Sequence, residues 1–146
     1  MTGRLMMLAV TVGIATALIT TIVPEPLPLY IWNASGSVPI GLYRLRPAAQ
    51  FQVTELVAVQ PPEPLATFLD LSGYLPIGVP MLKRVLALPG QIVCRTGLTI
   101  SVDGVAVGEL FLMNWQSDDS LDGRYFGFLP ASSVIGRAMP VWTWEE

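Results

Sequence analysis

The stretch MLKRVLALPGQIVCR, residues 81–95, determines the fold class that the sequence predicts. It contains two runs of aliphatic and β-branched residues, and Pro89-Gly90 separates them. Runs bounded by turn residues in this way are typical of short β-strands. Similar runs recur as GLYRL (41–45), LVAVQ (56–60), LTISVDGVAV (98–107) and RAMPVWTW (137–144). The sequence therefore predicts a mainly β protein in which residues 24–146 form one compact all-β domain.

Two segments of this domain carry more specific predictions. Asp103-Gly104 lies between two alternating runs and predicts a tight hairpin turn. Residues 61–80, PPEPLATFLDLSGYLPIGVP, predict a long connection with one helical turn at residues 65–71. Connections of this length are usually functional or mobile.

An apolar run precedes the domain. Residues 5–23 contain no charged side chain, and as a helix they would extend roughly 28 Å, close to the hydrocarbon thickness of a bilayer. A cleaved signal peptide is the alternative, but the run exceeds a typical signal-peptide core and ends at Pro24 without a small-residue cleavage site. We therefore predict that residues 1–23 form a cytoplasmic tip and a transmembrane helix, with Arg4 inside and residues 24–146 facing outward.

Composition excludes several classes of function. The net charge is −3 and the basic residues are scattered, which argues against a nucleic-acid partner. The chain has no histidine and one cysteine, which excludes a His or Cys metal cluster and any histidine-assisted nucleophile. No cofactor is expected, and Cys94, among apolar neighbours, is expected to be buried.

A serine paired with a neutral lysine remains possible, and Lys83 is the only lysine in the chain. Strand alternation puts Lys83 on the face of Met81 and Val85, where desolvation would lower its pKa. A solvated lysine on a strand is the alternative. Ser35-Gly36-Ser37 is equally ambiguous, because two serines before a proline also suit an ordinary turn.

Three motifs in order resemble the Ser/Lys signal peptidases of bacterial membranes. They are Ser35-Gly36-Ser37-Val38-Pro39, Lys83-Arg84 followed by Pro89-Gly90, and the segment DSLDGRYFG at residues 119–127. The resemblance covers nearly the whole chain and implies an all-β peptidase domain behind a membrane anchor. It further implies that Ser37 is the nucleophile and that Lys83 is the general base.

The same resemblance implies roles for the neighbouring residues. The Ser37 backbone N–H and the Ser35 hydroxyl would form the oxyanion hole. Ser120 would orient the lysine amine, and Asp122 and Arg124 would pair and brace the site. Gly123 and Asp119 depart from the family's usual serine and asparagine. The sequence leaves open whether Asp122 is catalytic or structural.

The residues of these motifs are most similar to those of the TraF-type branch, whose members process pilin precursors for conjugative transfer. Val38 stands where ordinary leader peptidases usually have methionine. In some members of the branch an amine rather than water resolves the acyl-enzyme, which joins the pilin into a ring. A general type I signal peptidase is the alternative within the enzyme class, and a non-catalytic membrane-anchored β scaffold of a secretion or pilus complex is the alternative outside it.

The predicted setting is the bacterial inner membrane, with the domain on its periplasmic side. The expected partners are the lipid bilayer and a membrane-tethered precursor, either a pilin or another preprotein. Confinement of both proteins to one membrane would raise their effective concentration. Trp115, Phe126 and Trp142 are candidates for the rim of the substrate pockets or for contact with lipid, although core packing is favoured for Phe126 and Trp142.

Overall fold

The computed structural model describes residues 2–22, 28–96, 99–102 and 109–144. The helices in this part of the chain are α1 (Thr2–Ile22), α2 (Glu63–Leu71) and the short α3 (Gly123–Phe126). The strands are β1 (Tyr30–Asn33), β2 (Ile40–Arg46), β3 (Leu56–Val59), β4 (Met81–Ala87), β5 (Val93–Thr96), β6 (Thr99–Val102), β7 (Glu109–Leu112), β8 (Phe128–Pro130) and β9 (Val134–Trp144). A 3-10 turn, Ala131–Ser133, connects the last two strands.

One antiparallel sheet contains most of these strands, in the order β1-β2-β9-β3-β4-β7-β8. The last strand of the chain, β9, lies between β2 and β3. It therefore joins the N-terminal β1–β2 hairpin to the centre of the sheet. Strands β5 and β6 pair with each other in a separate two-stranded sheet.

The sheet is buried on both faces at its centre. Leu56 and Ala58 of β3 belong to one apolar cluster, whereas Val57 and Val59 belong to a second. Because successive side chains of a strand point to opposite faces, the two clusters cover the two faces of the sheet. Lys83 of β4 lies directly opposite Val57. The lysine side chain therefore lies on the face of the second cluster.

The prediction of a mainly β chain is confirmed. Strands β2, β3, β4 and β9 coincide with predicted runs to within a few residues. Strand β5 overlaps the predicted segment 91–95, and β6 falls in the predicted segment 98–107. Strands β1, β7 and β8 were not predicted, because each has only three or four residues and none shows a clear alternation. The hairpin turn predicted at Asp103-Gly104 lies outside the described residues.

The helical turn predicted at residues 65–71 is part of a longer helix. Helix α2 begins at Glu63, directly after Pro62, and a proline in its first turn does not disturb its hydrogen bonds. Ala66 and Leu69 are buried on one side of this helix. Helix α2 is thus attached to the domain by an apolar face.

Helix α1 covers nearly all of the apolar run, and Val23 lies outside the described residues. Its side chains from residue 3 to residue 18 are all exposed. In the part of the chain that the structure describes, no helix has both the length and the apolar content needed to cross a membrane. The predicted transmembrane anchor is therefore not confirmed, and the predicted boundary between residues 23 and 24 lies outside the described residues.

Two predictions of burial are wrong. Cys94 is exposed, since its strand β5 lies in the two-stranded sheet rather than in the main sheet. Trp142 is 63% exposed and contacts Trp32 and Trp144 on the surface. Phe126, in contrast, is partly buried and packs against the second apolar cluster, as predicted.

Candidate active site

Ser35 and Ser37 lie in the turn that joins β1 to β2. Ser35 is exposed and Ser37 is partly buried. Their hydroxyl oxygens are 3.1 Å apart and form a hydrogen bond. The next residue, Val38, is buried in the first apolar cluster and ties this end of the turn to the core. The turn is therefore anchored on the sheet with its two hydroxyl groups adjacent to each other.

Lys83 is buried in the middle of β4 and is only 5% exposed. The alternative of a solvated lysine is therefore wrong. Burial lowers the pKa of the amine from 10.5 to about 8, while the charge of Asp122 raises it and that of Arg124 lowers it. At pH 7 about a tenth of this amine is uncharged, far more than for an ordinary surface lysine.

Ser120 provides the polar contact of the lysine amine. Lys83 Nζ donates a hydrogen bond of 2.8 Å to Ser120 Oγ, and both residues are buried. The hydrogen bond that the family resemblance implied between these two side chains is present. The hydroxyl oxygen accepts a hydrogen bond from the amine and thereby orients Lys83. Because the hydroxyl carries no charge, it does not counteract the lowering of the Lys83 pKa by burial.

Asp122 and Arg124 form the ion pair that the resemblance implied. Arg124 Nε lies 2.9 Å from Asp122 Oδ1, and Asp122 is fully buried. The carboxylate also accepts hydrogen bonds from the backbone N–H groups of Asn114 and Arg124. Arg124 donates in turn to the backbone carbonyls of Ser117 and Ser120. The pair therefore fixes the loop that carries Ser120.

Steric crowding explains why position 123 is a glycine. A Cβ atom built on Gly123 would lie 2.8 Å from the carbonyl oxygen of Leu112 and 2.9 Å from the ring of Phe111. The family's usual serine therefore does not fit here without a shift of β7. Gly123 allows α3 to pack directly on that strand.

One cavity of about 830 Å³ brings the predicted residues together. Ser35, Ser37, Lys83 and Ser120 all line it, whereas Asp122 and Arg124 do not. Apolar side chains from β1, α2 and the loop before β4 form a further wall: Ile31, Leu69, Tyr74, Leu75 and Val79. Among the described residues, Lys83 hydrogen-bonds to Ser120 and Ser37 to Ser35, with no direct bond between Ser37 and Lys83.

Two buried asparagines that the motifs did not indicate hold the backbone on either side of the cavity. Asn33 bonds the turn that carries the serines, and Asn114 bonds the backbone at Leu82 and Arg84, directly flanking Lys83. Asn33 carries a local signal, because an asparagine just before a turn commonly bonds the turn backbone. Asn114 carries none, since its partners are 30 and 32 residues away in sequence.

The arrangement has the parts needed for nucleophilic chemistry on a carbonyl group. A hydroxyl nucleophile requires a base that is neutral at the working pH. A buried amine with a pKa of about 8, in the same cavity as two hydroxyl groups, meets this requirement from about pH 8 upward.

Comparison with known sequences identifies the class of protein to which this fold and this site belong. The model of the signal peptidase family, peptidase S26, matches residues 2–110 and 104–144. The chain therefore belongs to the signal peptidase family, peptidase S26.

Individual relatives indicate a branch of this family. The conjugal transfer protein TraF of Agrobacterium fabrum is 34% identical over 80% of this chain and 84% of its own length. The plasmid transfer protein TraF of Escherichia coli is 30% identical over 77% of this chain and 82% of its own length. A probable signal peptidase I-1 of Synechocystis is 32% identical over 60% of this chain and 53% of its own length.

Proposed function

We propose that this protein is a serine endopeptidase with a catalytic dyad of Ser37 and Lys83, and that it processes a conjugative pilin precursor. The observation that carries the proposal is the buried amine of Lys83. Its pKa is lowered to about 8, and it lines the same cavity as Ser37. Membership of the signal peptidase family supports the reaction class.

The first step is acylation. The Ser37 oxygen bonds to the carbonyl carbon of the scissile peptide, its proton passes to the neutral Lys83 amine, and the carbonyl electron pair moves to oxygen. The Ser37 N–H and the Ser35 hydroxyl donate to this oxyanion. The intermediate then collapses, the C–N bond breaks, and the leaving amine takes the proton from Lys83. Ser120 keeps the lysine amine oriented throughout.

The second step releases the product. Water or an amine attacks the acyl carbon, Lys83 accepts the proton, and the Ser37 oxygen leaves and regains a proton. Water gives a linear product, whereas the precursor's own amino end gives a ring. The same site supports both outcomes, and they differ in mass by one water.

The choice of substrate rests on the relatives. Two of those described above are named as conjugal or plasmid transfer proteins, which supports a substrate from a conjugation system. General signal peptidase activity is the second candidate, supported by the similarity to the Synechocystis protein. A non-catalytic β scaffold remains the alternative of another class, and it predicts no requirement for Ser37 or Lys83.

We also infer that the protein is attached to the bacterial inner membrane with its domain on the periplasmic side. The support is helix α1, whose side chains from residue 3 to residue 18 are exposed and predominantly apolar. Such a surface is unfavourable in water and favours contact with lipid.

The test is to follow precursor pilin by mass spectrometry in cells that produce Ser37→Ala or Lys83→Arg. Lys83→Arg retains the positive charge but cannot act as a base. Both variants should accumulate unprocessed precursor. Ser72→Ala, an exposed serine beyond the end of α2, is the matched control and should process normally. Normal processing in the Ser37 and Lys83 variants would reject the proposal in favour of the scaffold.

A further inference from the structure

Asn33 has an unusual number of contacts for one side chain. It is the last residue of β1 and is 9% exposed. Its Nδ2 donates to the backbone oxygens of Ser35 (2.8 Å), Val38 (3.0 Å) and Pro39 (3.2 Å). Its Oδ1 accepts from the backbone N–H of Ser35 (3.3 Å) and from the Ser35 hydroxyl (3.0 Å). One amide therefore ties both ends of the serine turn to β1.

These contacts fix the direction of the hydroxyl protons. A serine hydroxyl has a single proton, and that of Ser35 is donated to Asn33 Oδ1. The hydrogen bond between the two serine hydroxyls must then be donated by Ser37 to Ser35. The protons thus run in one chain from Ser37 through Ser35 to Asn33. In this resting arrangement the Ser37 proton points to Ser35, so the Ser37 hydroxyl must turn toward Lys83 before it transfers its proton.

We propose that Asn33 is a positioning residue for the reaction and that it acts through Ser35. Its amide holds the turn in the shape that presents the Ser37 hydroxyl to the cavity, and its Oδ1 holds the Ser35 proton until a substrate carbonyl arrives. As the oxyanion forms, the Ser35 hydroxyl turns from Asn33 to the oxyanion. This inference rests on the proposed function, because it assigns the Ser35 hydroxyl to the oxyanion hole.

Tyr43 makes it possible to separate this role from simple support of the turn. Its hydroxyl donates a hydrogen bond of 2.5 Å to the Pro39 carbonyl, which also accepts from Asn33. Tyr43 therefore supports the same end of the turn, and its hydroxyl bonds neither serine. Tyr43→Phe removes one buried hydrogen bond of the turn and leaves the Asn33–Ser35 contacts in place.

The experiment compares the full-length protein with Asn33→Ala, Asn33→Asp and Tyr43→Phe, with precursor pilin as substrate. We measure kcat, KM, the pH profile and the thermal midpoint. Asn33→Ala should lower kcat by about tenfold to a hundredfold, somewhat less than the loss of a whole oxyanion-hole donor. The KM and the pH midpoint should stay nearly unchanged, because the apolar walls and Lys83 are not altered.

The remaining variants make each outcome decisive. Asn33→Asp has the same shape but turns a carboxylate oxygen toward three carbonyl oxygens, so its kcat should fall at least as far as that of Asn33→Ala. It carries the test if Asn33→Ala does not fold. Tyr43→Phe should lower the thermal midpoint while kcat stays within about twofold.

Two outcomes overturn different statements. If Ser37→Ala abolishes processing but both Asn33 variants have the kcat of Tyr43→Phe, the inference on Asn33 is wrong and the proposed function stands. If Ser37→Ala processes the precursor normally, the proposed function itself is wrong.

Discussion

The burial of a single amine determines how the activity should depend on pH. Lys83 is 5% exposed, and burial lowers its pKa to about 8. Because the base must be neutral to accept a proton, kcat/KM should rise with pH and reach half of its maximum near pH 8. The measurement is kcat/KM between about pH 6 and pH 10. A profile without this rise would show that no lysine titrates in the reaction.

The same burial makes Lys83 unfavourable for folding. The pKa of Lys83 is about 8 in the folded chain, whereas the ordinary value of 10.5 applies to the unfolded chain. At a pH between these two values the unfolded chain binds the proton and the folded chain does not. The free energy of unfolding should therefore rise with pH in this window, by at most about 1.4 kcal/mol per pH unit for one proton.

Lys83→Met should consequently be inactive and yet more stable than the wild type at pH 7, because it removes a costly buried amine. Its stability advantage should shrink as the pH rises above about 8. Urea denaturation of both proteins at several pH values tests this difference. A constant advantage over that range would contradict the shifted pKa.

The motifs indicated most of the residues of the proposed site, because Ser37, Lys83 and Ser120 each lie in a local sequence pattern. The structure brings Ser37, Lys83 and Ser120, the residues that the family resemblance indicated, to one cavity. Asn114 was not indicated, because its backbone partners in β4 are distant in sequence and only the folded chain brings them within reach. Asn33 precedes a turn, but the motifs do not show how many groups of that turn its amide bonds. Sequence patterns report residue types and spacing, not such contacts.

At the level of strands, the hairpin β1–β2 and its pairing with β9 present the serine turn. Gly41 in β2 has φ +149, and a Cβ atom there would lie 2.1 Å from the carbonyl oxygen of Trp142. The neighbouring register shift lets β9 accommodate Pro140, which cannot donate to a regular ladder. The pairing of β2 with β9, which supports the serine turn, therefore depends on close contact between the two strand backbones.

Gly41→Ala should lower the stability more than Gly73→Ala does. Gly73 also has a positive φ, +71, but a Cβ atom there meets no atom within 4 Å. Gly73→Ala should therefore cost about 1 to 2 kcal/mol, from backbone strain alone. Gly41→Ala adds a clash with β9 and should cost at least about 3 kcal/mol. Chemical denaturation of both variants tests the prediction, and equal losses would contradict it.

The ion pair of Asp122 and Arg124 lies at the start of the short helix α3. Asp122 precedes this helix as its N-terminal cap and accepts from the Arg124 backbone N–H. Asp122→Asn should destabilise the protein by about 3 kcal/mol, because it breaks a buried, hydrogen-bonded ion pair. A thermal melt or a urea titration measures this loss.

The same variant tests whether Asp122 acts on Lys83. Burial is the main cause that lowers the pKa of Lys83, and the charge of Asp122 opposes it. Removal of that charge should move the midpoint of the activity profile below pH 8, with processing retained. Complete loss of activity in folded Asp122→Asn would instead show a direct catalytic role.

Elements with a strong pattern were predictable, whereas short elements depended on their surroundings. The runs that became β2, β3, β4 and β9 are apolar or alternating over four residues or more. Strand β8 has three residues, and its pairing with β7 defines it as a strand. The burial of Cys94 and Trp142 was mispredicted for a related reason, since apolar neighbours in sequence do not show which side of a sheet is covered.

Across the molecule, α1 differs from the domain in having no buried side chain between residues 3 and 18. Removal of residues 2–22 should therefore leave the thermal midpoint of the domain nearly unchanged. If α1 attaches the protein to lipid, the full-length chain should sediment with the membrane fraction and the shortened chain should not. A large loss of stability in the shortened chain would show that α1 is part of the domain.

The presence of one lysine in the chain gives the protein a built-in spectroscopic reporter. Protein grown on lysine labelled with ¹⁵N at the ε position carries a single enriched side-chain nitrogen, at Lys83. Its NMR chemical shift, followed during a pH titration, measures the fraction of molecules in which the Lys83 amine is protonated in the absence of substrate. The proposed general base can therefore be observed in isolation without any substitution.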